Sequence, residues 1–224
     1  MGPIMISLGG SIIATEDGIN ADFLKGFSKV ILSFPPPQKF AIITGGGFIS
    51  KMYVNAASMF TESNYIKDEV GIAASRLNAS MVSSMFNITK IAVNLEEIKR
   101  WLSTDRVVVA GGILPGITTD AVAALAAEAC EAGSIINISR SGGIYENGDD
   151  SSKKIAPMIS HAELLKYALA KDERTARSNF IFDAIACRIA QRSAMTVHFV
   201  GEDLGDIKNA IEGKPHGGTV VKGR

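Results

Sequence analysis

A chain of 224 residues is long enough for one sizeable core, and a composition 46% hydrophobic and 21% charged is that of a folded globular protein, not a disordered one. Lys+Arg and Asp+Glu balance at 23 each, so there is no global basic field to gather nucleic acid, and any affinity for phosphate has to come from local geometry. No stretch approaches the roughly 20 apolar residues of a membrane span, the N-terminus (MGPIMISLGG) lacks the regions of a signal peptide, and the two cysteines, Cys130 and Cys187, form no CxxC pair, so a reduced, cytoplasmic protein without a membrane partner is expected.

Ile4 to Leu8 is a short apolar run ending in Gly9-Gly10-Ser11, which reads as a buried strand delivering a glycine loop. Asn20 to Ser33 places Phe23, Leu24, Phe27, Val30 and Ile31 at helical spacing behind an Asn cap, and Pro35-Pro36-Pro37 stops it. A second strand, Phe40 to Thr44, empties into Gly45-Gly46-Gly47 ahead of a helical run from Ile49 to Phe60. Tyr65 to Met85 reads as one long helix, Ile91 to Val93 as a strand, and Leu95 to Leu102 as a helix holding Trp101. Further strands are expected at Val107 to Ala110, Ser134 to Ser139, Thr196 to Val200 and Thr219 to Val221. Helices are expected at about His161 to Ala170, Phe180 to Arg192 and Leu204 to Glu212, with Tyr145 to Lys154 a polar surface loop or hairpin. Strands alternating with helices this regularly predict one α/β domain over 1–224, a mostly parallel sheet with helices on both faces and ligands at the carboxyl ends of its strands.

The most informative stretch is Gly111 to Ala127, GGILPGITTDAVAALAA. A strand runs into a glycine turn, and Thr118, Thr119 and Asp120 then open a helix whose first N–H groups and positive dipole end suit an anion. Thr and Asp are also what an ordinary helix start prefers, so spacing alone leaves the two readings level. Three glycine loops at strand ends would suit two phosphorylated ligands meeting end to end. None of them is a Walker loop or GxGxxG. The histidines His161, His198 and His216 match no nucleophile or metal spacing, and no protein metal centre is expected.

In order, SLGGS, TGGG, DEVGIAASRLNAS, GGILPGITTDAVAALAAE, IFDAIACRIAQRS and a terminal GGTVV resemble the amino acid kinase superfamily, and within it the archaeal-type uridylate (UMP) kinases. The resemblance runs nearly end to end and is strongest at Val70 to Ser80 and Gly111 to Glu128. It implies a three-layer αβα sandwich around a mostly parallel sheet, an acceptor part over about 1–130 and an ATP part over about 131–224. It also implies a homohexamer built as a trimer of dimers, and transfer of the γ-phosphoryl of ATP, with Mg²⁺, to UMP. Position by position it places Gly10, Ser11 and Gly47 at the ATP phosphates and Gly46 at UMP. Asp68 would hold the UMP ribose, and Ile113, Leu114, Pro115, Gly116, Ile117, Thr118 and Thr119 would wrap the base and phosphate. Asp120 would stand beside the reacting groups, ordering charge and not serving as a base, because a nucleotide phosphate is already largely ionised near neutral pH. Lys51 and Arg188 are the candidate fixed cations, against the plainer reading of exposed helix faces. Arg76 and Asn78 would support their helix and a subunit contact.

The resemblance weakens in one segment. The family reads Thr-Asn-x-Asp-Gly-Val-Tyr-x-x-Asp-Pro where this chain has Ser139 to Asp149: the asparagine has become Arg140, the first aspartate Gly142, and the Asp-Pro pair is lost. Ser139, Arg140, Tyr145 and Gly148 remain the expected donor contacts, with Tyr145 beside adenine. Two substitutes for the missing carboxylate stay open, Arg140 reaching a phosphate or Asp149 taking its place. The departure also leaves two alternative functions: a non-catalytic hexamer that binds or stores nucleotide, and a superfamily kinase for another small acceptor.

Overall fold

A computed structural model describes residues 2–146, 154–171 and 182–223. Along the chain these form β1 (Ile4–Leu8), α1 (Gly10–Ile13), β2 (Ala14–Thr15), β3 (Gly18–Ile19), α2 (Ala21–Ser33), β4 (Phe40–Thr44), α3 (Gly47–Ala57), α4 (Asn64–Ser84), α5 (Leu95–Thr104), β5 (Val107–Ala110) and α6 (Thr119–Ala129). They continue as β6 (Ser134–Ile138), β7 (Met158–Ile159), α7 (His161–Lys171), α8 (Ala184–Arg192), β8 (Thr196–Val200), α9 (Leu204–Ile211) and β9 (Thr219–Val221). Seven strands make one sheet in the order β5-β4-β1-β6-β8-β9-β7, parallel throughout except for β8 against β9.

The period-2 alternation of the strands builds the layers. Ile4, Ile6 and Leu8 of β1 and Phe40 and Ile42 of β4 turn to one face, where they pack with α2 and α9 through Phe27, Ile31 and Ile207. Met5, Ala41, Ile43 and Ile135 turn to the other face, against Ala123 and Ala127 of α6 and Cys187 of α8. The result is an α/β sandwich of three layers, with helices on both sides of the sheet.

Local chemistry fixes the helix starts. Asn20, Asn94, Asp183 and Asp203 each accept a backbone N–H in the turn they cap, a contact worth about 1 kcal/mol apiece. The strand expected at 91–93 is reduced to a single bridge between Ala92 and Ala110. Its room is taken at once by the α5 cap, since Asn94 Oδ1 accepts from Glu97 N at 2.8 Å while Glu97 reaches back to Val93 N at 2.9 Å. At Tyr145 the chain pairs antiparallel with Ile155, so the flanks of the polar segment are a hairpin; its tip, with Gly148 and Asp149, lies outside the described residues.

Candidate active site

Because β1 and β4 are hydrogen-bonded neighbours, the glycine runs that follow them emerge side by side. Gly45 N donates to Leu8 O at 2.9 Å, and Gly10 then lies against Gly47 backbone to backbone. A Cβ at either residue would fall well under 3.0 Å from the other's backbone, and Gly47 has φ +59, so both positions need glycine. Asn78 of α4 holds this junction by donating to Gly45 O (2.8 Å) and Gly46 O (3.2 Å). From the same helix Ser75 Oγ accepts from Gly112 N at 2.7 Å, and Arg76 Nε donates to Gly112 O at 3.0 Å. Arg76 and Asn78 thus fasten the ligand loops.

Asp120 stands in the first turn of α6, over the carboxyl ends of β1 and β6. Ser7 and Asn137 are register partners on those two strands and face the same side. Both donate to one oxygen of Asp120, Oδ1, Ser7 from 2.6 Å and Asn137 from 2.8 Å, which leaves Oδ2 without a hydrogen bond from the described residues. Part of Asp120 opens to the cleft, but its carboxylate is packed among protein atoms. That desolvation pushes its pKa up to about 7; the nearby Asp183 raises it too, against the lowering effects of the Ser7 and Asn137 donors. Asn137 Oδ1 is buried and has no hydrogen-bond partner among the described residues.

Thr118 caps α6, accepting from Ala121 N at 3.1 Å, and its hydroxyl donates to Asp183 Oδ2. Asp183 in turn caps α8, its Oδ1 accepting from Ile185 N (2.7 Å) and Ala186 N (2.9 Å). One short chain of hydrogen bonds therefore joins the starts of α6 and α8. The Thr119 hydroxyl has no hydrogen-bond partner among the described residues.

Two cavities flank this centre. One, of about 270 Å³, runs between α3, α4 and the 112–119 loop, and it brings together Gly46, Asp68, Leu114, Ile117, Thr118 and Thr119 of the residues expected from sequence. Asp68 Oδ2 accepts from Gly116 N at 2.8 Å, which pins the tip of that loop to α4. Ile113 packs against the core, and Ile113, Pro115 and Gly116 shape the loop without lining the cavity. The second cavity, of about 340 Å³, joins Ser11, Phe48, Lys51 and Arg140 with the β2–β3 hairpin. Arg140 Nε donates to Ser11 O at 3.0 Å, tying the end of β6 to the first glycine loop. Ser139 and Ser141 share a hydroxyl contact of 2.9 Å beside it. Arg188 is exposed on α8, opposite that helix's buried face, and lines neither cavity. A larger cavity of about 570 Å³ lies against the start of β5, at the amino ends of the strands and away from all of these residues.

Sequence reasoning did not single out Ser7, Asn137, Asp183 or Lys67. The first two carry a usable signal, a single polar residue within the apolar stretches 4–8 and 135–138. Asp183 reads as a helix cap, and Lys67 as an ordinary helix lysine.

The amino acid kinase family matches residues 3–201. The chain is 35% identical to a uridylate kinase of Thermoplasma volcanium over 219 residues, covering 95% of this chain and 94% of the other. It is 31% identical to a uridylate kinase of Archaeoglobus fulgidus over 222 residues, covering 97% and 99%. The crystal structure of an Archaeoglobus fulgidus uridylate kinase superposes with a TM-score of 0.83 over 99% of this chain and 100% of the other, at 30% identity. That of a Bacillus anthracis UMP kinase shares the fold, with a TM-score of 0.79 at 17% identity over 99% and 96%.

Proposed function

The chain belongs to the amino acid kinase family, and on that premise we propose that it is a uridylate kinase, transferring the γ-phosphoryl group of ATP to the phosphate of UMP to give UDP and ADP. The observation that carries this reading is a pair of cavities on either side of the Gly10–Gly47 junction, one lined by Thr118 and Thr119 next to Asp120 and the other by Ser11 and Arg140, in a chain similar to uridylate kinases along nearly its whole length.

Residues 1–130 supply the acceptor half and 131–224 much of the donor half. The UMP phosphate lies at Gly46 and Thr119, where N–H groups at the starts of α3 and α6 face it. Asp68 keeps one oxygen for the ribose while the other holds the loop through Gly116. The ATP phosphates pass over Gly10, Ser11 and Gly47 toward Lys51 and Arg140, and Tyr145 stands beside adenine.

Among the described residues no group of three or more His, Cys, Asp or Glu could hold a metal ion. Asp183 is close enough to Asp120 to make ionising Asp120 costlier, and Asp120, whose Oδ2 takes no hydrogen bond from the described residues, would be the residue to face a Mg²⁺ ion that comes with ATP. Bound there, the ion would offset charge on the transferring group.

An oxygen of the UMP phosphate attacks the γ-phosphorus in line, and the bond from that phosphorus to the β,γ-bridging oxygen breaks to release ADP. The attacking oxygen needs no base, since the second phosphate pKa is about 6. What the chain contributes is position, from the Gly10–Gly47 junction, and charge, from Lys51, Arg140 and loop N–H groups. Arg188 would have to turn toward the cleft to join them.

The exposed α3 supports the homohexamer reading. None of its residues is buried, and Met59 and Phe60 just beyond it are 81% and 86% exposed, an apolar surface of the kind a partner subunit covers. No helix of the described residues is long and apolar enough to cross a membrane, and the two free thiols suit a cytoplasmic enzyme. An ADP-release assay with ATP·Mg²⁺ and UMP, CMP, dCMP, acetylglutamate, carbamate and isopentenyl phosphate tests the function: UMP is expected to be the acceptor, and no turnover with millimolar UMP would sink it. Calorimetry showing UMP binding without ATP·Mg²⁺ binding would instead point to a nucleotide-binding shell.

A further inference from the structure

Among the described residues Lys67 is the one cation lining the acceptor cavity. Its side chain is only 20% exposed, yet its ammonium makes no hydrogen bond among the described residues. The nearest charge is Glu62, 3.8 Å away and fully in solvent. A side chain whose stem is largely covered, and whose ammonium makes no hydrogen bond among the described residues while it lines an open cavity, is poised for a ligand acceptor atom.

The helices fix where along the cavity it sits. Ser75 marks the reacting end of α4, bonded to Gly112 N, and Lys67 is eight residues nearer the helix start, about 12 Å away at 1.5 Å per residue. On α3 the lining residues Gly46, Ser50 and Val54 step away from the glycine junction over a similar length. The cavity therefore has a phosphate end at Gly46 and Thr119 and a far end at Val54, Leu114 and Lys67, a span comparable to an extended nucleoside monophosphate. With the phosphate at the first end, the ring atom furthest from it is carbon 4, which lies across the pyrimidine from the sugar-bearing nitrogen.

We infer that Lys67 reads the exocyclic group at position 4 of the acceptor's pyrimidine ring, donating to the keto oxygen of uracil and rejecting the amino group of cytosine. This rests on the acceptor assignment made above. An ammonium carries donors only, so it pairs with a carbonyl oxygen and meets an amino group donor to donor. Lys67 is then a specificity residue: it sets which pyrimidine enters and takes no part in phosphoryl transfer.

The test compares wild type, Lys67→Met and Lys67→Arg by calorimetry with UMP and with CMP in the absence of donor, and by kcat/KM with ATP·Mg²⁺. Wild type is expected to bind UMP at least tenfold tighter than CMP. K67M should lower that ratio by at least tenfold, through weaker UMP binding, and K67R should restore most of it. A UMP-to-CMP ratio in K67M within twofold of wild type overturns the inference, as does a wild type that binds the two equally. Should K67M fold poorly, Glu62→Gln gives a second reading. It releases the competing carboxylate, so the UMP preference should hold or rise, and a fall in the ratio counts against the inference. If wild type binds UMP but does not phosphorylate it, the kinase reading falls while Lys67 is still judged on the binding ratio. If neither nucleotide binds, both fall.

Discussion

Gly47→Ala should disable catalysis far more than it destabilises the fold, and a matched substitution at Gly213 shows why. Both glycines have left-handed backbones, φ +59 at Gly47 and φ +67 at Gly213, so each alanine carries a similar conformational cost of about 1 kcal/mol. At Gly213, the turn that closes α9, a Cβ meets nothing within 4 Å. At Gly47 it would run into the Gly10 carbonyl and come within 2.8 Å of Ser11 N, and these neighbours are backbone, which has no rotamer to escape into. The first two glycine loops would have to part by about 1 Å, and a displacement of that size between reacting groups costs about 100-fold in rate. In the ADP-release assay at saturating ATP and UMP, G47A is expected to lose about two orders of magnitude in kcat, while G213A stays within twofold of wild type. Both should melt a few degrees lower, about 2–4 °C per kcal/mol for a chain of this size. A G47A enzyme within threefold of wild-type kcat would refute the view that backbone contact between the loops sets the transfer geometry. Equal loss in G213A would trace the effect to general destabilisation instead.

Ser7→Ala removes one of the two donors to Asp120 Oδ1 and is expected to lower kcat/KM by about tenfold, from the roughly 1.5 kcal/mol of a hydrogen bond to a charged group; an unchanged kcat/KM would remove Ser7 from the site. Arg140→Ala should raise the KM for ATP by about tenfold and leave that for UMP unchanged, and equal effects on both would argue against a donor-side role. The buried His198 Nδ1 lies 3.0 Å from His216 Nε2, and burial first, then His216 and Lys222, depress the His198 pKa from 6.5 to about 4. A depressed folded-state pKa contributes stability that is whole above the unfolded value and is lost as pH falls from 6.5 toward 4, on the order of 3 kcal/mol in total. Asp120, whose pKa is raised, acts with the opposite sign over part of that range, so the readout is the difference between wild type and His198→Gln in denaturant unfolding. That difference should shrink toward acid, and a constant one would contradict the assignment. Phe60→Glu places a charge on the exposed apolar surface beside α3 and should reduce the assembly measured by light scattering; an unchanged mass would put the subunit contact elsewhere.

The strands and the long helices were legible because their pattern is strong: Phe23, Leu24, Phe27 and Ile31 all turn inward on α2, and β1, β4 and β5 are nearly continuous apolar runs. Elements of two residues, such as β2, β3 and β7, carry too little pattern to read and exist only through their neighbours. The loop between β5 and α6 was legible because glycine, proline and threonine punctuate it. The support beneath it was not, since Ser7 and Asn137 become partners only when β1 and β6 pair in register, and β4, α3 and α4 separate those strands in sequence. Thr118 shows the limit of reading by residue type: its hydroxyl is committed to Asp183, whereas that of Thr119, its neighbour with the same side chain, has no partner among the described residues.

The same logic bears on the altered Ser139 to Asp149 segment. Where the family pattern has a carboxylate, Gly142 has φ +67 and lies 3.7 Å, measured from an added Cβ, from the backbone of Gly201, so that position now serves a close turn and not a side-chain contact. Arg140, by contrast, is anchored through Nε to Ser11 O, which leaves its terminal nitrogens for the cavity that Lys51 also lines. A carboxylate and an amide have thus given way to one guanidinium beside a second cation, on the side proposed for the triphosphate. Asp120 and Asp183 have neutral hydrogen-bond donors only, Ser7, Asn137, Thr118 and backbone N–H groups. The cavity that Lys51 and Arg140 line also carries Glu16 and Asp17, so its lining balances two cations against two carboxylates. On the proposed kinase reading the cation that accompanies a triphosphate offsets both these groups and the Asp120–Asp183 pair, and the ordering of Asp120 is expected to follow donor binding more than acceptor binding.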